Sequence, residues 1–199
     1  MLIGLTGGIG SGKSAISRGL RALGYQVIDT DLLAREMMQN DQSVISGLNE
    51  LFGCDVFSVD GTLNRQLIAS QVFTHPDLLE RLNRLVHPAV IRRVSEMAQA
   101  HPDETILVES AILFESGLNR LCDAVIAVSA PVELRVRRAM QRDHAPEEKI
   151  KQRMENQLTD GQREQQSDLI IINGENAKIS DLCLQVNEFL CNFAGSKSL

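Results

Sequence analysis

The chain has no tryptophan and one tyrosine, and aromatic residues make up 4% of it. Intrinsic fluorescence would therefore report little on any motion of the protein. It also lacks a basic excess. Twenty Lys and Arg stand against 26 Asp and Glu, a net charge of −6, which argues against a general nucleic-acid-binding surface. No apolar run approaches the ~18 residues of a membrane-spanning helix. Cysteine is sparse: Cys54, Cys122, Cys183 and Cys191 form no C-x-x-C pair, so spacing suggests no zinc site. Free, mostly buried thiols in a reducing cytoplasm are the simple expectation. There is no internal repeat and no low-complexity tract.

What is present is a 199-residue, 43% hydrophobic chain, the size of one domain with insertions and enough apolar material for a sizeable core. Its first notable feature comes at once. Gly7-Gly8-Ile9-Gly10-Ser11-Gly12-Lys13-Ser14 matches G-x-x-x-x-G-K-[ST], the phosphate-binding P-loop pattern. Glycines let successive backbone N–H groups turn toward one anion. Lys13 can reach the β- and γ-phosphates, and the Ser14 hydroxyl can ligate Mg²⁺. The flanks fit the motif. Leu2 to Thr6 reads as a buried strand, and Ile16, Leu20 and Leu23 give a helical spacing that ends at Gly24. A strand that begins at residue 2 leaves no room for a secretory signal.

Further along, Tyr25 to Ile28 reads as a second strand ending in Asp29-Thr30-Asp31, with a helix after it. Residues 41 to 101 contain no convincing strand. Val44 to Phe52, Leu63 to Val72 and Leu78 to about Ala100 carry helical spacings, and Pro88 predicts a kink or a break in the last of these. Thr105 to Val108, Ala124 to Val128 and Leu169 to Ile172 are strands. Helices are expected over Pro131 to Arg142 with proline in the first turn, from Pro146 to about Leu158, and over 176 to 192. Strands alternating with helices imply a parallel sheet covered on both faces, with sites beyond the C-terminal strand ends. Lys13, Asp31 and Glu109 fall near such ends.

A P-loop names a phosphate cradle and not a reaction. The guanine signature N-K-x-D and its partner D-x-x-G are absent, which disfavours a GTPase switch. The strand ending Val108-Glu109-Ser110 lacks the acidic pair of motor ATPases. A small-molecule kinase needs an acceptor lobe, a carboxylate at the acceptor hydroxyl and arginines over the phosphates. Asp31 is the candidate carboxylate; alternatively, Thr30 or Asp31 caps the following helix. Arg135, Arg138 and Arg142 share one helical face, with Arg137 off it and Arg153 on the next helix. They form either a lid over ATP or a solvated basic face. His87 either contacts a substrate or fills an interior hydrogen-bonding position.

Several segments together resemble the dephospho-CoA kinase family. They are IGLTGGIGSGKS at 3–14, GYQVIDTDLLAR at 24–35, DGTLNRQLIA at 60–69, HP at 87–88 and AILFE at 111–115. MQRD at 140–143, RMENQ at 153–157 and SDLIIING at 167–174 complete the series. The resemblance implies ATP- and Mg²⁺-dependent phosphorylation of the ribose 3′-hydroxyl of dephospho-CoA. It implies an α/β P-loop kinase fold of three αβα layers, with a five-stranded parallel sheet. The core would span 1–31, 102–133 and 160–199, the helical CoA-binding insertion 32–101, and the helical lid 134–159, all within one kinase domain.

By the same resemblance, Asp31, Lys13, Arg138 and Arg142 would be catalytic. Gly8, Gly10, Ser11, Gly12, Lys13, Ser14, Ala15 and Asn173 would contact ATP, with Asn173 near the adenine. Asp31, Arg35 and His87 would contact the acceptor, and Ser14 would ligate Mg²⁺. The expected partners are ATP and dephospho-CoA, with no nucleic acid or membrane, for a cytoplasmic monomer or weak oligomer. The chain departs from the family pattern in three places. Ala111 stands where proline is frequent, Ala15 where Thr or Ser is common, and Asn173-Gly174-Glu175 lacks a second asparagine. The runner-up is a kinase for a nucleoside monophosphate or another small hydroxyl acceptor. A nucleotide-dependent switch is more distant.

Overall fold

The computed structural model describes residues 1–53 and 56–197. Its elements alternate in the order that the apolar runs predict. β1 (Leu2–Thr6) leads through the Gly-rich loop to α1 (Lys13–Ala22), and β2 (Gln26–Asp29) leads to α2 (Thr30–Asn40). Three helices follow: α3 (Gln42–Phe52), α4 (Arg65–Thr74) and α5 (Pro76–Ala100). Then come β3 (Ile106–Glu109), β4 (Ala124–Ser129), α6 (Val132–Asp143), α7 (Glu147–Glu155), α8 (Asp160–Gln165), β5 (Leu169–Ile172) and α9 (Ile179–Lys197).

The five strands form one parallel sheet in the order β2-β3-β1-β4-β5, the middle of a three-layer α/β fold. β1 is central, pairing with β3 through Leu5↔Glu109 and with β4 through Leu5↔Ile126. Every residue of β1 and β3 is buried, as continuous apolar runs in a sheet covered on both sides require. Ile3, Leu5, Leu107, Ile126 and Ile171 from the sheet pack with Ile16 and Leu20 of α1 and with Leu182, Val186 and Leu190 of α9. Removing Leu20 to alanine from this fully buried site would cost about 2–5 kcal/mol. At the N-terminal strand ends, carboxylates close the ladder. Asp123 accepts from Leu2 N at 2.8 Å, and Asp168 from Val125 N at 2.7 Å.

The chain divides into two compact units, residues 29–100 and the remainder. Within 29–100, α2, α3 and α4 each pack on α5. Beyond Asp29, the last residue of β2, no strand occurs there among the described residues, only an isolated bridge between Phe57 and Leu63. Gln39 of α2 pins that turn, donating to Gly61 O at 2.8 Å and accepting from Leu63 N at 2.9 Å. Leu63 therefore belongs to the turn. The helix expected to include it starts at Arg65, capped by Asn64.

Four other expectations needed adjustment. Of the kink or break expected at Pro88, the break does not occur: α5 is one continuous helix through it although proline lacks the N–H for an i→i−4 bond. Leu82, Val86, Ala89, Val90 and Val94 give it a buried face on both sides of the proline. Pro131 is the N-cap of α6 and not its first helical residue. The helix expected to run from Pro146 to Leu158 stops at Glu155. The separate helix α8 follows, nucleated by a capping box in which Thr159 and Gln162 exchange side-chain and backbone bonds. α9 begins at Ile179, later than expected, and runs to Lys197.

The cysteines are less uniformly buried than expected. Cys183 is buried, Cys122 half-buried and Cys191 exposed, and all three are free thiols. Cys54 lies outside the described residues. No described helix is long and apolar enough to cross a membrane.

Candidate active site

The Gly-rich loop connects the central strand to α1 and lies at the C-terminal strand ends. Gly12 is the N-cap of α1, so the positive end of the helix faces the loop. Gly10 has φ +77°, and the backbone carbonyl of Arg135 lies where a side chain would start. Both facts exclude any residue but glycine there. Gly10, Gly12, Lys13, Ser14 and Ala15 line a cavity of about 180 Å³ together with Arg18, Arg138 and Arg142. Four cations and a helix N-terminus around one small cavity make an anion site.

The arginines are seated differently. Arg138 donates to Asn173 O and Gly174 O, each at 3.2 Å, so two of its five N–H donors tie it to the loop after β5. Arg142 is gripped by Asp143 through Nε at 2.6 Å and Nη2 at 2.9 Å, and Arg153 reaches the same carboxylate at 2.6 Å. The bonds from Arg142 and then Arg153 hold the Asp143 carboxyl well below the usual carboxylate range. Arg137 turns outward to Glu175.

Arg135 does not join them. It is buried and ion-paired with Asp160, which also accepts from the buried Arg163 at 2.9 Å. The shared face of 135, 138 and 142 is thus split by depth, with the first arginine facing inward beneath the loop.

The Ser14 hydroxyl donates to Glu109 Oε1 at 2.5 Å. Glu109 ends β3 and is buried. Sequence reasoning placed it only near a strand end. Its signal was the lone carboxylate closing the strand beside β1. Arg18 was also missed, one turn beyond Ser14 on α1.

Gly8 and Ser11 do not line the cavity. Gly8 lies against the Arg135 guanidinium. Ser11 is buried, and its carbonyl accepts from Asn173 Nδ2 at 2.8 Å. Asn173, expected beside the adenine, is itself buried, with its side-chain amide spent on this loop carbonyl.

The unit 29–100 carries the remaining candidates. Asp29 is the N-cap of α2, accepting from Asp31 N at 2.9 Å and Leu32 N at 3.1 Å. Capping is therefore the work of Asp29, and neither Thr30 nor Asp31 supplies the cap. Asp31 is left exposed in the first turn, with Arg35 exposed one turn later on the same helix. His87 sits half-buried on α5, where burial pushes its pKa down.

A family model described as dephospho-CoA kinase matches residues 1–178. A dephospho-CoA kinase of Corynebacterium diphtheriae is 38% identical over 175 residues, covering 86% of this chain and 88% of that one. One of Fusobacterium nucleatum is 33% identical over 189 residues, covering 95% and 96%. Among solved structures, TT1252 from Thermus thermophilus superposes with TM-score 0.80 at 32% identity, covering 96% of this chain and 97% of that one. A dephospho-CoA kinase from Campylobacter jejuni, at 24% identity and TM-score 0.71, shares the fold over 95% of this chain and 96% of its own. A match that runs from the phosphate loop through both arginine-bearing helices to β5 leaves one conclusion: the chain belongs to the dephospho-CoA kinase family.

Proposed function

We infer that the chain transfers the γ-phosphoryl group of ATP to the ribose 3′-hydroxyl of dephospho-CoA, yielding coenzyme A and ADP. The observation that carries this reading is the convergence of Lys13, Arg18, Arg138 and Arg142 on the cavity at the loop. Phosphoryl transfer needs little covalent help from a protein. It needs positioned reactants and stabilised charge on the phosphate oxygens. Lys13 and the α1 N-terminus hold the phosphates, and Arg138 and Arg142 act on the charge that develops as the group moves.

The donor set beside the loop fits Mg²⁺. A hydroxyl and a carboxylate, both hard oxygens, stand together at Ser14 and Glu109, the sparse protein share usual when phosphates complete the shell. The ion, when bound, neutralises charge on the β- and γ-phosphates.

Asp31 is the proposed carboxylate at the acceptor hydroxyl, orienting it and taking its proton late in transfer. Its support is its exposed place in the first turn after β2, with the capping role already filled by Asp29. The helical unit 29–100, with Arg35 and His87, is the proposed seat of the CoA moiety, and α6 with α7 the proposed lid. Arg135 is buried and tied to the loop, so it anchors the proposed lid at its base.

The test is purified protein with ATP, Mg²⁺ and a panel of hydroxyl acceptors, followed by mass spectrometry. Coenzyme A formed from dephospho-CoA, in preference to phosphorylated nucleoside monophosphates, is expected. A folded protein that forms no coenzyme A overturns the reading.

A further inference from the structure

The phosphate loop is held from outside by three side chains that come from far along the chain. Gln157 accepts from Ile9 N at 3.0 Å, and its amide donates to Ala111 O at 3.1 Å. Arg135 donates through Nε to Ile9 O at 3.1 Å. Asn173 donates to Ser11 O at 2.8 Å. The Ile9 side chain packs on the small core of Val136, Ala139 and Ile150, which joins α6 to α7. Ile9 is thus gripped at its C=O and its side chain by the hairpin of helices that carries Arg138 and Arg142, and at its N–H by Gln157 just beyond α7.

These grips have a direction. In a trans peptide the C=O of one residue and the N–H of the next point opposite ways, and the chain has no cis peptide bond among its described residues. Fixing the Ile9 carbonyl on Arg135 therefore turns the Gly10 N–H away from Arg135. Fixing the Ser11 carbonyl on Asn173 turns the Gly12 N–H away from Asn173. Gly10 and Gly12 both line the cavity, while Arg135 and Asn173 do not.

We propose that Arg135 and Asn173 are positioning residues that aim the N–H groups of Gly10 and Gly12 at bound phosphate. Neither touches the phosphate. Arg135 can do this because it is itself immobilised. Asp160 of α8 pairs with it, and Arg163 pairs with the same carboxylate while donating to Leu158 O at 2.8 Å. The short helix α8, remote in sequence from the loop, thereby becomes part of the phosphate-binding apparatus. The inference rests on the kinase reading only in taking the loop's ligand to be a polyphosphate.

The test uses inorganic tripolyphosphate, which needs no acceptor, and the full-length protein with Arg135→Lys, Arg135→Ala and Asn173→Leu. Binding is followed by calorimetry and by the backbone amide resonances of Gly10 and Gly12, at a temperature where each variant is folded. Tripolyphosphate should bind about 10- to 100-fold more weakly to each variant, the scale of one lost hydrogen bond to a charged group. The Gly10 amide should lose its response to ligand in the Arg135 variants and keep it in Asn173→Leu, with Gly12 showing the reverse. Lysine should restore part of the loss seen with alanine, because it can reach either Ile9 O or Asp160 but not hold both in a fork. Variants that melt earlier yet bind tripolyphosphate as the wild type does, with both amides responding, overturn the proposal. If Arg135→Ala does not fold, Asn173→Leu and the Gly12 amide decide it alone. If wild-type protein binds tripolyphosphate but forms no coenzyme A, the acceptor reading fails while this one stands.

Discussion

Replacing Gly10 by alanine should damage the loop by two separable effects, and Gly24 offers the control for one of them. Gly10 has φ +77° and Gly24 has φ +94°. At both, an alanine in the left-handed region costs about 1–2 kcal/mol. At both, alanine also stiffens the unfolded chain, a gain of about 0.4–1 kcal/mol that cancels in the comparison. The surroundings differ. A Cβ at Gly24 meets nothing within 4 Å, whereas at Gly10 it runs into the backbone carbonyl of Arg135. That carbonyl sits in the first turn of α6 and cannot swing aside, so overpacking adds about 1–3 kcal/mol.

Gly10→Ala should therefore lose roughly 2–5 kcal/mol before that common gain, and Gly24→Ala about 1–2. At this chain length each kcal/mol lowers the melting temperature by roughly 2–4 °C. If the loop shifts to relieve the clash, the cost reappears as weaker phosphate binding. Thermal unfolding with and without ATP reads both, because ligand raises stability by RT ln(1 + [L]/Kd). Gly24→Ala should keep the full ATP-dependent rise, and Gly10→Ala should lose much of it. Equal melting temperatures for the two variants, with an undiminished ATP increment in Gly10→Ala, would refute the reasoning.

Other expectations follow from the same geometry. Asp31→Asn should retain ATP binding and lose about 10²-fold or more in turnover, the scale of a proton-accepting group; wild-type turnover would remove Asp31 from the chemistry. Arg138→Ala should lower turnover more than it weakens adenosine binding, measured by steady-state kinetics and calorimetry. Asp143, held below its ordinary pKa by Arg142 and Arg153, contributes stability that is fully present above the unfolded carboxylate value of about 3.9 and is lost as pH falls below it. The melting-temperature gap between wild type and Asp143→Asn should accordingly hold at neutral pH and shrink in acid. Burial pushes the Cys122 thiol up to about 12, so a thiol reagent at pH 8 should mark the exposed Cys191 well before Cys122, as peptide mapping would show.

The donor loop was readable because every part of its signal is local. The strand, the glycines, Lys13 and Ser14 lie within residues 2 to 14, and the helical period after them continues the pattern. The sheet was readable for a similar reason, since strands buried on both faces leave uninterrupted apolar runs. Arg138 and Arg142 were placed by helical spacing, but spacing gives direction around a helix and not depth, so Arg135 was grouped with them. What separates it is Asp160, 25 residues away on a helix for which the sequence reading gave no element. The Thr159-x-x-Gln162 box was the available sign of that helix.

The bonds that shape the loop span 126, 148 and 162 residues, from Arg135 to Ile9, Gln157 to Ile9 and Asn173 to Ser11. A side chain bonded to a distant backbone carbonyl leaves no period, and its partner has no side-chain identity to recognise. A phosphate loop can therefore be found from thirteen consecutive residues, while the groups that keep its N–H vectors inward become visible only when the far ends of the chain meet. The same holds for Asn173, whose place just beyond β5 is legible in the sequence while its burial and its bond to Ser11 O are not.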